Sequence, residues 1–176
     1  KFGIPRQSGL VPALRAKIVF EPEYRNPDAL RGIEGFSHLW LIWQFSAAVR
    51  NTWSPTVRPP RLGGNERVGV FATRSPFRPN AIGLSCVKLE SVQHEDGFGD
   101  VLIVSGADLM DGTPIYDIKP YRPYADAHPE ALGGFAPSPK ETIEVKSLPE
   151  LLQKLPEGQR DALLGVLAQD PRPQYQ

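Results

Sequence analysis

The amino-acid sequence predicts a mostly β domain: a small β-barrel with short helices at its C-terminal end. Three observations lead there. The 19 prolines and 16 glycines cut the 176-residue chain into short segments, which favours strands and turns over long helices. The apolar runs between these breaks alternate or run on for only a few residues, as strands do. No 3.6-residue periodicity is sustained until Ser147. Many short strands followed by one or two helices fit a small barrel bearing an appendage.

The elements follow in order. Ala13 to Phe20 alternates roughly and ends in a β-rich IVF, so a strand is expected. Pro22 to Pro27 is a turn region, with Asp28 placed to cap a helical turn at Ala29–Arg31. His38 to Phe45 (HLWLIWQF) is apolar at both parities and reads as a central strand covered on both faces. Pro55 to Asn65, with three prolines and two glycines, reads as a loop. Short strands are expected at Arg67–Ala72 and Ile115–Ile118. Ala81–Val92 and Val101–Ser105, flanking Asp96-Gly97 and Gly99-Asp100, read as a hairpin. Residues 123–146 read as a connecting loop. Ser147-Leu-Pro-Glu150 has the form of a capping box, with Leu148, Leu151, Leu152 and Leu155 on one helical face. A second short helix is expected around Ala162, Leu163, Val166 and Leu167.

Composition sets limits on function. The 20 basic and 20 acidic residues cancel, so net charge alone points to no polyanionic partner. Their distribution is uneven: Arg58, Arg61, Arg67, Arg74 and Arg78 share their stretch with one acid, Glu66. Such a stretch is either solvated loop charge or a surface for phosphates or carboxylates. The single cysteine, Cys86, excludes an internal disulfide and a cysteine-based zinc site, and its place in an apolar run predicts an inert thiol. His38, His94 and His128 lack metal-ligand spacing, so no metal is expected. His38 opens an apolar strand and is either a structural or a catalytic histidine; His94 and His128 read as exposed loop residues. No signal-peptide pattern and no membrane-length apolar run occurs, so a cytoplasmic protein is expected. Lys1 in place of Met suggests that an N-terminal segment is missing.

Walker, strand-linked GxGxxG, HExxH and GxSxG motifs are absent. Three segments carry polar residues that a fold would not require: Pro5-Arg6-Gln7, the stretch Ala72–Gly83 and the stretch Asp108–Tyr121. In the second, Pro76 and Pro79 stiffen the loop and lower the entropy cost of holding Arg74 and Arg78. In the third, Gly112 permits a tight turn and a close ligand approach, beside Asp111 and Thr113. Turn chemistry alone accounts for each segment, but three in one small domain point to a binding site.

PRQSGL at Pro5, GFSHLWLIW at Gly35, RPPRLGGNERVGVFATRSPFRPNAIGLS at Arg58, DLMDGTPIYDIKPY at Asp108 and LAQDPRPQY at Leu167 resemble the TrmO (TsaA-like) family. The resemblance spans the chain. It implies a single-sheet β-barrel unlike the Rossmann-type methyltransferases, and a homodimer. The implied activity is S-adenosylmethionine-dependent methylation of N6 of threonylcarbamoyladenosine, at position 37 beside the tRNA anticodon. By motif, the donor is expected on Pro5, Arg6, Gln7, Phe45, Ser46, Arg74, Leu84, Asp111, Gly112, Thr113 and Pro114. The division expected is a catalytic and donor-binding barrel at 1–125, then a connecting loop and helical appendage at 126–176. The family's opening strand, of the IGVIRSP type, and residues beyond Gln176 are lacking here, so a fragment is expected.

Methyl transfer from a sulfonium is an in-line displacement that depends on alignment. The acylated N6 is a poor nucleophile but a better acid, so a base should help. Asp117, Tyr116 and His38 are the candidates. Arg74, Arg78 and Lys119 are placed to stabilise negative charge or to hold the threonyl carboxylate. Arg58, Arg61 and Arg67 are assigned to anticodon-loop phosphates. Two rival readings remain at this point: a non-catalytic RNA- or nucleotide-binding barrel, and a methyltransferase acting on a small molecule.

Overall fold

The computed structural model describes residues 4–170. Among the described residues seven strands form: β1 (Arg15–Ile18), β2 (His38–Gln44), β3 (Thr56–Val57), β4 (Val68–Gly69), β5 (Ile82–Glu95), β6 (Gly99–Ser105) and β7 (Ile115–Pro120). Three α-helices follow among these residues: α1 (Pro123–Asp126), α2 (Pro149–Gln153) and α3 (Glu157–Ala168). Five strands make one sheet in the order β1-β6-β5-β2-β7, while β3 and β4 form a separate two-stranded ribbon. Every pairing in the main sheet is antiparallel. Among the described residues no ladder joins β1 to β7, so the shown architecture is a five-stranded antiparallel sheet with two edges.

The strand alternation sets the core. On β2, Leu39, Leu41 and Trp43 point inward and are nearly fully buried. They meet Val87 of β5, Leu102 and Val104 of β6, Ile18 of β1, and Ala107. Burying each such side chain contributes about 1.5–3 kcal/mol. The register places Leu39 opposite Val87, Leu41 opposite Ser85 and Trp43 opposite Gly83. The other face of β2 is covered only in part. The Trp40 indole N–H donates to Asp126 at 3.0 Å, so α1 shields that end. β2 is therefore an interior strand, but only one of its faces is fully buried.

Several local expectations are corrected. Asn26, not Asp28, caps the turn at Pro27–Leu30, its side chain accepting from the Asp28 N–H. The stretch from Pro55 holds β3 and a 3-10 turn at Pro60–Leu62, because β4 returns to pair with β3. The strand expected at Arg67–Ala72 shrinks to β4, since Val70–Ala72 curl into a 3-10 turn. His94 is a strand residue, paired across the β5–β6 hairpin with Asp100 at 2.8 Å. The capping box at Ser147 does not form: Leu148 is the N-cap of α2, and no side-chain cap bond is made. Leu148 and Leu151 stay exposed, so that leucine face is not buried within the chain. α3 does dock, with Val166 buried and Gly165 lying against Val11. No helix among the described residues is long and apolar enough to cross a membrane.

Candidate active site

The three segments singled out in the sequence meet at one end of β2 and β5. β6 stops pairing with β5 after Ser105, and the N-terminal segment takes its place there. Ser8 Oγ accepts from the Cys86 N–H at 3.1 Å, and the Gly9 N–H donates to the Gly106 carbonyl at 2.8 Å. Gly106 itself has φ of 75°, a conformation that favours glycine, and a Cβ there would meet Gly9 at 3.2 Å. This close approach brings Pro5-Arg6-Gln7 beside the start of the 106–114 segment. At the other side, the Gln44 N–H donates to the Pro114 carbonyl at 3.0 Å and the Phe45 N–H to the Ala81 carbonyl at 2.8 Å.

A buried polar network organises this junction. The Trp43 indole N–H donates to Ser85 Oγ at 2.9 Å, and the Ser85 hydroxyl donates to Asp108 Oδ1 at 2.5 Å. Ser85 is fully buried and Asp108 half-buried. Loss of water around the Asp108 carboxyl pushes its pKa up, against the Ser85 hydrogen bond and the Arg74 charge, which pull it down. Arg74 Nη1 also donates to Gln7 Oε1. Gln7, Arg74, Asp108, Ser85 and Trp43 thus form one connected set, drawn from five parts of the chain. Asp108 opened a recognised motif without a role, and Ser85 and Trp43 had none. The signal for Ser85 was a serine at a core-facing position of an alternating strand.

The loop bearing Arg74 and Arg78 holds itself. Thr73 Oγ donates to the Val70 carbonyl at 2.8 Å and accepts from the Ser75 N–H at 3.2 Å. Ser75 Oγ accepts from the Phe77 N–H at 3.2 Å, and Arg78 Nη1 donates to the Thr73 carbonyl at 2.9 Å. Stiffening by Pro76 and Pro79 is therefore joined by side-chain turns.

The remaining predicted residues fall into three groups. Asp111 and Gly112 are exposed in the turn before β7, where Thr113 Oγ1 donates to the Met110 carbonyl at 2.7 Å. Gly112 has φ of 72° and no atom within 4 Å of where a Cβ would stand, so its backbone is open to a ligand. Phe45 packs edge-on against Trp43, with ring centroids 4.3 Å apart, while Ser46 is exposed. Leu84 is exposed on the sheet face opposite Ser85, paired with Ile42.

The proton-transfer candidates are not brought together. A register shift beside Trp43 sets Tyr116 out of the β2–β7 ladder, and Tyr116 lines an open cleft with Gln44 and Ile82. Asp117 pairs with Lys119 at 3.1 Å and accepts from the Ile118 N–H. Those two bonds, Lys119 foremost, hold its carboxyl below the usual range, which makes it a weak base. His38 lies six residues along β2 from Gln44, a separation of about 20 Å on an extended strand. It hydrogen-bonds Ser37 at 2.9 Å. Cys86 is half-buried, and burial followed by the nearby Asp126 charge raises its thiol pKa, consistent with an inert group.

The other arginines sit on the β3–β4 ribbon. Arg67 Nη1 donates to Thr56 Oγ1 at 2.8 Å. Arg61 Nη2 donates to the Ser138 carbonyl and so ties the connecting segment to the ribbon. Arg58 is exposed. Beyond the other end of the ribbon stand two exposed rings that the sequence did not single out, Trp53 and Phe71, with centroids 6.1 Å apart.

Comparison with known proteins places the chain in one group. The profile of the tRNA-methyltransferase O N-terminal domain matches residues 1–127. A relative from Escherichia coli (strain K12), named tRNA (adenine(37)-N6)-methyltransferase, is 46% identical over 183 aligned residues, covering 99% of this chain and 77% of its own. One of the same name from Eikenella corrodens is 51% identical over 142 residues, 80% of each chain. The crystal structure of TrmO from Pseudomonas aeruginosa superposes with a TM-score of 0.77 at 39% identity, covering 97% of this chain and 75% of that one. The chain belongs to the tRNA-methyltransferase O family.

Proposed function

We propose that the protein is a tRNA methyltransferase that methylates N6 of the adenine at position 37, with S-adenosylmethionine as donor and threonylcarbamoyladenosine as the target. The relatives' names support the tRNA and the adenine N6. A Pseudomonas aeruginosa relative, 45% identical, is named a putative S-adenosylmethionine-dependent methyltransferase, which supports the donor. The observation that carries the reading is the junction itself. Gln7, Arg74 and Asp108 meet there, with Phe45–Ser46 and Asp111–Pro114 brought to the same strand ends.

The residues fit such a donor by their chemistry. Arg74 or Arg6 suits a carboxylate, Asp111 and the open Gly112 backbone suit ribose or ammonium groups, and Leu84 and Phe45 offer apolar cover. Thr113 and Pro114 complete that turn. When bound, S-adenosylmethionine supplies a methyl group on a positively charged sulfur, which N6 takes up while losing its proton. The chain's own contribution is alignment and charge. Of the three proton-transfer candidates, Tyr116 alone lines the cleft, and we assign it the contact to the N6 proton. Lys119, occupied by Asp117, is left with a supporting electrostatic role. Arg58, Arg61 and Arg67 are assigned to anticodon-loop phosphates, with Arg61 also serving the fold.

A barrel, a homodimer and a cytoplasmic location belong to the same proposal. The barrel requires its edge strands β1 and β7 to be joined. The division at residues 125/126 is consistent with the profile ending at residue 127. The deciding experiment is methyl incorporation from labelled S-adenosylmethionine into tRNA carrying the threonylcarbamoyl group, compared with the same tRNA lacking it. Incorporation only into the modified tRNA is expected. Equal incorporation into both overturns the substrate, and none into either overturns the activity.

A further inference from the structure

A cleft of about 260 Å³ opens beside the junction, between the Ser46–Ala48 turn and the segment leading into β5. By the same measure, about 15 Å³ suffices for one water. The space therefore admits an organic substituent. Its polar lining comes from Arg50, Arg78, Asn80, Gln44 and Tyr116. Neither arginine pairs with a carboxylate among the described residues, and the nearest acid on β7, Asp117, is engaged by Lys119. Two guanidinium groups lining one cleft repel each other unless an anion lies between them.

Both arginines are oriented in advance. The Arg50 guanidinium stacks on the Phe77 ring, 3.8 Å from its centroid. Both hydrogen bonds of Arg78 run from Nη1 to the carbonyls of Thr73 and Ser75, which fixes the plane and leaves the rest of the fork to a ligand. A planar fork held this way suits a carboxylate bidentately.

We propose that this cleft is the subsite for the amino-acid carboxylate that the target adenine carries through a urea on N6, with Arg50 and Arg78 as its paired ligands. This rests on the function proposed above and extends it to a residue, Arg50, that no motif singled out. The location is right for it. Gln44 directly precedes Phe45, and Ile82 lies two residues from Leu84 on the same face of β5, so the substituent would lie against the proposed donor residues. The Asn80 and Gln44 amides and the Tyr116 hydroxyl suit the urea and a side-chain hydroxyl.

An RNA phosphate has similar anion chemistry, so the test uses a ligand without phosphate. The free nucleoside, adenosine bearing a threonylcarbamoyl group on N6, is titrated against the chain by NMR beside its methyl ester. The wild type is expected to prefer the free acid at least tenfold. Arg50→Ala should abolish that preference and raise KM for the modified tRNA at least tenfold, leaving S-adenosylmethionine affinity and thermal melting unchanged. Arg50→Lys, which keeps the charge and loses the fork, should fall between. Equal binding of acid and ester by the wild type overturns the subsite even where methylation proceeds. A uniform loss of affinity for all tRNAs in Arg50→Ala, with a shallower salt dependence, also overturns it and makes the cleft a phosphate site. A clear acid preference without any methylation supports the subsite and sinks the reaction instead.

Discussion

Asp108 is the residue on which the junction turns. It accepts the Ser85 hydroxyl, sits in the field of Arg74, and is held away from water. Its folded pKa lies above the unfolded one, so the folded state binds the extra proton in the window just above the ordinary aspartate value. Stability from this group is present below that window and is lost as pH rises through the folded pKa. The lowered carboxylates Asp117 and Asp126 have the opposite sign: their contribution is lost as pH falls through their depressed values. Asp108→Asn keeps an acceptor for Ser85 and removes the titration. Chemical unfolding across pH 3–7 should give a wild-type-minus-variant difference that falls as pH rises. A difference independent of pH would remove Asp108 from this role. Donor affinity should drop in the same variant, because Arg74 loses its carboxylate neighbour.

At the scale of the element, the pairing of β2 with β5 does more than build a core. Gly83 faces Trp43, and a Cβ at Gly83 would lie 2.3 Å from the indole ring. The ring lies over the strand because no side chain stands there, and that position lets its N–H reach Ser85. Gly83 has no unusual backbone requirement, so Gly83→Ala tests packing alone. Overpacking of this kind costs about 1–3 kcal/mol. A thermal melt should show that loss, and the Trp43 fluorescence should shift as the Ser85 bond breaks. An unchanged melt and spectrum would mean that the ring relocates freely. The register shift in β7 is the second device at this scale. It releases Tyr116 from the ladder and turns it into the cleft.

For the whole molecule, charge is segregated although the net is zero. The β3–β4 ribbon carries Arg58 and Arg67 at one end and the exposed rings of Trp53 and Phe71 beyond the other, charges and rings of the kind that suit single-stranded RNA. Arg58→Ala and Arg67→Ala should each weaken tRNA binding and lower the salt slope of log affinity by roughly one. S-adenosylmethionine binding, read by calorimetry, should stay as in wild type. An unchanged salt slope would place the RNA elsewhere. Arg61 is a poorer probe, since its bond to the Ser138 carbonyl makes its loss structural as well.

Strand identities were legible because alternation and turn residues act locally. His38–Gln44, the long hairpin of β5 and β6, and β7 all follow from pattern. The stiffening of the Ala72–Gly83 loop by Pro76 and Pro79 was legible too, since proline chemistry is local, whereas its bracing by Thr73, Ser75 and Arg78 was not. The Ser147 capping box failed because a sequence pattern cannot say whether the side chain reaches the backbone. The two-stranded ribbon was hidden because its partners are too short to show a period. By itself the sequence determined that the chain is mostly β and that Arg58–Asn80 is an arginine-rich stretch. Tertiary structure decided which residues meet. It joined Gln7 to Arg74, Ser85 to Asp108 and Arg50 to Phe77, and it separated His38 from Tyr116 by most of a strand. Those outcomes depend on strand order and register, which are set by burying one sheet face in a shared core, not by any local run of residues.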